Sequence, residues 1–188
     1  DYMQKQAPND LVSYGLGDWC PVDKTTSVEF TESCTYYRVA EAMKQIVLIL
    51  GQPDDAARYA ELETRIKNAI QQKYYHADIQ SYDSGSQAAN AMALYYGIVE
   101  PDQVQGVVGN LARAVERADD HLTAGEIGLK PLFLALGENG RNDLAYAIAT
   151  AETIPSYWYF IQNGLTSLSE MWDLGSSFNH CMMGHLDG

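Results

Sequence analysis

Apolar residues recur along this chain at helical spacing, and glycines and prolines cut the pattern into helix-length segments. From Thr31 to Leu50, Val39, Met43, Ile46, Val47 and Leu50 follow that spacing, and Gly51 comes next as a stop. Pro53 stands where a first-turn proline belongs, with Asp54 and Asp55 at the positive end of the helix dipole. This second helix carries Tyr59, Leu62, Ile66 and Ile70 and runs to about Tyr75. After a polar loop, His76 to Gly85, Ser86 caps a short helix from Gln87 to Tyr96 that Gly97 ends. Pro101 opens the next, with Val104, Val107, Val108, Leu111 and Val115 on one face. Glu126 to Leu136 reads as helix with Pro131 as a kink, Asp143 to Glu152 as another, and Tyr157 to Gln162 as a short aromatic one after the break at Ile154-Pro155-Ser156. Short helices are also expected at Ser169 to Asp173 and Asn179 to Gly184. No alternating run competes, although Tyr74 to Tyr82 has room for a small hairpin. The sum is an all-α array of about eight helices in antiparallel hairpins, which suggests a helical toroid. The alanines at 88, 89, 91, 93, 145, 147 and 149 allow close helix packing, as an ordinary bundle also would.

Composition narrows what such an array can bind. The 188 residues suffice for one sizeable core. Net charge is −13, from 12 basic and 25 acidic side chains, and such a surface repels phosphate backbones and anionic membranes. No apolar run approaches the roughly 20 residues of a membrane span. The chain begins at Asp1 without Met, as expected of a mature or excised fragment. Cys20, Cys34 and Cys181 fit no metal motif; one disulfide with a free thiol, or three thiols, both stay open. His180 and His185 lack the i, i+4 spacing of a helical metal pair, so no metal is expected. With no phosphate-cradling loop or nucleophile elbow, no cofactor is expected either.

Three loops carry the chemistry. In the first, Tyr14-Gly15-Leu16-Gly17-Asp18-Trp19-Cys20-Pro21, the glycines present Asp18 and Trp19 side by side. A carboxylate for sugar hydroxyls and an indole for the apolar sugar face make one reading; a buried Trp with a capping Asp makes the other. In the second, Leu122 to Gly128, Thr123 and Glu126 have the spacing of a capping box, and a backbone wall for a pocket is the alternative. In the third, Glu170 and Asp173 are three residues apart beside Trp172, with Asn179-His180 beyond. Paired acids among aromatics suit glycosidic-bond hydrolysis; solvated acids on a capped helix are the plainer reading.

The third loop carries a longer pattern. Pro155-Ser156-Tyr157-Trp158-Tyr159-Phe160, Asn163-Gly164-x-Thr166-Ser167, Glu170-x-Trp172-Asp173 and Ser177-Phe178-Asn179-His180 resemble, in order, the C-terminal signature of bacterial α-L-rhamnosidases. Gly17-Asp18-Trp19, Thr123 to Gly128 and Gly140 to Tyr146 extend the resemblance over nearly the whole chain. It implies part of an (α/α)6 barrel, from the C-terminal portion of the catalytic domain, and inverting hydrolysis of terminal α-L-rhamnose. The implied general base is Glu170. The implied substrate-binding residues are Asp18, Trp19, Trp158, Trp172 and His180. Ser169 stands where the family has Trp, and Gly164-Leu165-Thr166-Ser167 replaces Gly-Ala-Thr-Thr. The family's general acid lies in a segment upstream of this region. The chain by itself is therefore expected to be inactive, and to self-associate through uncovered apolar helix faces. Another (α/α)6 glycosidase and a helical-repeat interaction module are the alternatives. A bacterial compartment, periplasmic, secreted or cytoplasmic, is left open.

Overall fold

The computed structural model describes residues 2–175, 177 and 178. The expected helix from Asn179 to Gly184, with His180 and Cys181, lies outside the described residues, as does His185. The chain runs through α1 (Tyr2–Gln6), a 3-10 turn (Pro8–Asp10), α2 (Val28–Ile49), α3 (Pro53–Tyr74), β1 (Tyr75–His76), β2 (Ser81–Tyr82), α4 (Gln87–Tyr95), α5 (Val104–Glu116), α6 (Glu126–Glu138), α7 (Asn142–Thr150) and α8 (Tyr157–Gln162). α4 packs against both α2 and α6, so these three follow one another in one layer. α3 packs on α2, α5 on α4 and α7 on α6, which makes the second layer. Each hairpin thus puts one helix inside and one behind it.

Glycine sets the turns as expected. α2 ends at Gly51, φ 68°, where Gly51 N–H bonds Leu48 O and Gln52 N–H bonds Val47 O, both carbonyls otherwise orphaned at the helix end. The same pair of bonds closes α4 at Gly97. The small hairpin is present, with Tyr75 opposite Tyr82 and His76 opposite Ser81.

Several boundaries move, each for a physical reason. α2 starts at Val28 because Ser27 caps it, and Asp83 clamps Ser27 through its N–H and Oγ, both at 2.8 Å. α5 starts at Val104, since the residues after Pro101 form a turn. Ser169 to Asp173 is not a helix: Ser169 Oγ bonds Gly175 O at 3.1 Å and folds the segment into a turn. Of the apolar face expected in the second half of α2, only Val47 is buried. Val39, Ile46 and Leu50 are exposed, while Phe30, Cys34, Tyr37, Ala40 and Val47 are buried.

Two buried clusters result. One joins α2, α3 and the hairpin around Phe30, Ile66, Ile70 and Tyr82. The other joins α4 to α8 around Leu111, Leu129, Leu132, Ile148 and Trp172. α4 lies between them and is buried from Gln87 through Ala93 without a break. Its two buried amides tie down the loops at its N-terminal end. Asn90 Oδ1 accepts from Tyr82 N and Ser81 Oγ, each at 3.0 Å. Gln87 Oε1 accepts from Thr123 N at 2.9 Å, and its Nε2 donates to His121 O at 2.9 Å.

Candidate active site

The first and second loops meet at the N-terminus of α6. Gln87 holds Thr123, and Thr123 O in turn accepts the N–H groups of Val22 and Asp23 at 3.0 Å each. Asp18, buried, accepts from Gly125 N at 2.7 Å with Oδ2 and from Gly128 N at 2.8 Å with Oδ1. Trp19 O accepts Glu126 N–H at 2.8 Å. Three of the N–H groups at this helix start are thereby satisfied from a loop more than a hundred residues away. The capping box does not form: Gly125 is the N-cap residue, and Glu126 is the first residue of the helix.

Of the two readings open at the first loop, the capping Asp is the one seen here: both oxygens of Asp18 accept backbone N–H groups at the start of α6. Burial pushes its carboxyl up, and the N–H groups of Gly125 and Gly128 oppose that shift. Asp18→Ala is expected to destabilise the protein by about 1–2 kcal/mol, the cost of losing a cap and stranding buried N–H groups. Denaturant unfolding measures it, and an unchanged midpoint would show that the cap contributes nothing. Trp172 is buried, stacked on Phe160 with centroids 5.3 Å apart and edge-on to Tyr157, within the second core cluster. Trp158, on α8, is exposed at 43%.

The third loop reaches the same place. Trp19 Nε1 donates to Glu170 Oε1 at 3.1 Å, across 151 residues of chain. Glu170 Oε2 faces Ser177, whose Oγ and N lie at 3.2 and 3.4 Å, and Glu170 N–H bonds Ser177 O at 2.9 Å. Glu126, nearly fully buried, and Cys20 complete the group: one carboxylate oxygen of each acid and the thiol sulfur lie within 4.8 Å of one another. One thiol and two carboxylates form a donor set able to hold a divalent cation. Burial, and then the charges of Glu126, Glu170, Asp173 and Asp18, push the Cys20 thiol up, so it stays protonated and a poor nucleophile at neutral pH. Sequence reasoning missed Glu126 and Cys20; an acid read as a capping partner gave no sign of its burial beside Glu170.

Beside the group opens a cleft of about 560 Å³, lined by Gly17, Trp19, Thr35, Glu32, Glu126 and Ile127 among others. Trp19 is 40% exposed there, its indole available to an apolar ligand face. A second hollow, near 390 Å³, lies between Cys20, Lys24, Ile154 and Asp173.

All 188 residues match the family model described as the bacterial alpha-L-rhamnosidase 6 hairpin glycosidase domain. The chain belongs to this rhamnosidase family. The α-L-rhamnosidase of Streptomyces avermitilis is 30% identical over 173 residues, covering 92% of this chain and 16% of that protein. That of Alteromonas sp. is 28% identical over 202 residues, covering all of this chain and 22% of that protein. Among solved structures, α-L-rhamnosidase from Dictyoglumus thermophilum superposes with a TM-score of 0.93 at 34% identity, covering 99% of this chain and 22% of that one. The Streptomyces avermitilis enzyme, crystallised with L-rhamnose, gives 0.91 at 29% identity, covering 98% and 19%. The layered hairpins of this rhamnosidase-family chain are thus part of an (α/α)6 barrel. The chain spans about a fifth of the length of the relatives it matches.

Proposed function

We propose that this chain forms part of the active site of an inverting α-L-rhamnosidase, supplying the general base and one wall of the sugar pocket. One observation carries the reading: Glu170, the family-pattern acid, is oriented by Trp19 and Ser177 beside a cleft of sugar size. Glu170 takes a proton from water as that water attacks the anomeric carbon, while an acid from the rest of the longer protein protonates the leaving oxygen. Inversion needs the two carboxyl groups roughly 6.5–9.5 Å apart, with the water between them. Glu126 brings one oxygen within 4.8 Å of Glu170, closer than that spacing, so the acid is assigned to the rest of the longer protein. Trp19 covers the apolar face of the rhamnose ring. Trp158 and His180 remain substrate-binding proposals that rest on the sequence pattern.

The full-length protein incubated with an aryl α-L-rhamnoside tests this, with the first-formed sugar followed by proton NMR. The expected initial product is β-L-rhamnose. Initial α-L-rhamnose would overturn inversion, and turnover of other aryl glycosides in place of the rhamnoside would overturn the substrate.

A further inference from the structure

Trp19 does more in this geometry than line a pocket. Its exposed ring borders the cleft, but its one polar atom is spent on Glu170 Oε1 at 3.1 Å. An indole has a single donor and no acceptor, so this bond holds Oε1 at the ring nitrogen while Ser177 holds Oε2. The indole is itself held from behind. Trp19 O takes Glu126 N–H, and the neighbouring Asp18 anchors the same loop on Gly125 and Gly128. The loop has no room to shift toward α6: a Cβ at Gly125 would sit 2.2 Å from Trp19 O.

We infer that Trp19 is a positioning residue for the general base, with Asp18 acting through it: the cap on α6 sets the loop, the loop sets the indole, and the indole N–H sets Glu170. The inference rests on the proposed role of Glu170 as base. It separates two jobs that a pocket tryptophan would otherwise merge, since the ring face serves the substrate and the ring nitrogen serves the catalyst.

The groups around Glu170 bear on the test. Asp18 and Cys20 come from the first loop, Glu126 from α6 and Asp173 from the third loop, and Glu32 of α2 lines the same cleft as Glu126. In this crowded acidic setting the indole N–H is a donor that holds one oxygen of Glu170 in place.

The test uses the full-length protein and three variants, W19F, D18A and the double variant. Trp19→Phe keeps an apolar ring and removes the N–H. The expected result is a fall in kcat of about tenfold, with KM changed less than about threefold. D18A is expected to lower kcat the same way by a smaller factor, and to add little to W19F in the double variant, since both act on one path. A rise in KM with kcat unmoved would show that Trp19 is only a wall. Additive effects of D18A and W19F would remove Asp18 from the path. If W19F does not fold, the split between kcat and KM in D18A decides by itself. E170Q assayed in parallel distinguishes the two levels: an active E170Q overturns the base assignment itself, whereas an inactive E170Q with an unmoved kcat in W19F overturns only the positioning role.

Discussion

Replacing Glu170 by Gln in the full-length protein is expected to lower kcat by about 10²- to 10⁴-fold, the usual contribution of a positioned general base. Gln keeps the size and one oxygen but cannot accept the proton from water. Its amide can still receive the Trp19 N–H through that oxygen, so the loop around it should keep its place. KM should change little, because the lost interaction belongs to the transition state. Glu170 is only partly buried and contributes no apolar packing, so thermal unfolding should be nearly unchanged. Steady-state kinetics with circular dichroism melting checks both halves. Near-normal kcat would remove Glu170 from the reaction, and lost activity with a lowered melting temperature would trace the loss to misfolding.

Gly125→Ala should damage stability and activity together. Gly125 has φ −87° and ψ −166°, a backbone any residue adopts, so this glycine is required for space. An added Cβ would meet Trp19 O at 2.2 Å, Asp18 Oδ1 at 2.9 Å and Pro21 N at 2.9 Å. Two of these atoms are backbone, and no rotamer change relieves them. The loop must lift from α6, losing the Asp18 cap and moving Trp19 off Glu170. Overpacking and cap loss together suggest about 3 kcal/mol of destabilisation, with kcat reduced at least as far as in W19F. Equilibrium unfolding and kinetics on the same preparation would show it. Wild-type stability in G125A would mean that the loop is not seated on α6 as described.

The two substitutions mark where sequence reasoning reached and where it stopped. Helices were legible because their ends are local: Gly51 and Gly97 close turns through bonds spanning only a few residues, and Ser86 caps α4 on Ala89 N. Glu170 was legible only as part of an ordered family pattern, since its spacing to Asp173 implied a helical face that does not exist. Asp18 stayed open between a sugar ligand and a helix cap, because a short acidic side chain beside a Trp carries no record of the N–H groups it will meet 107 and 110 residues later. Trp172 offered the same ambiguity, resolved only when Phe160 and Tyr157 close around it. Glu126 was hidden for the opposite reason: a sound local motif, the capping box, was available and gave way to a cap from another part of the chain. On α2, apolar spacing without tertiary context pointed to Val39, Ile46 and Leu50, whereas the buried side is led by Phe30, Cys34 and Tyr37.

α4 divides the molecule into parts that can change and parts that cannot. Its unbroken burial from Gln87 to Ala93 leaves no side open to variation, and its alanines admit neighbours so closely that a Cβ on Gly128 would come within 2.7 Å of Ala88. A change in what the proposed sugar cleft accepts therefore has little freedom on this helix. It must be written into the loops anchored beside it, at positions such as Leu16 and Thr35 on the cleft wall or Lys24 and Met171 on the neighbouring hollow. On the proposed function, substrate range is then set on these loops while α4 holds the frame that seats Trp19 and Glu170.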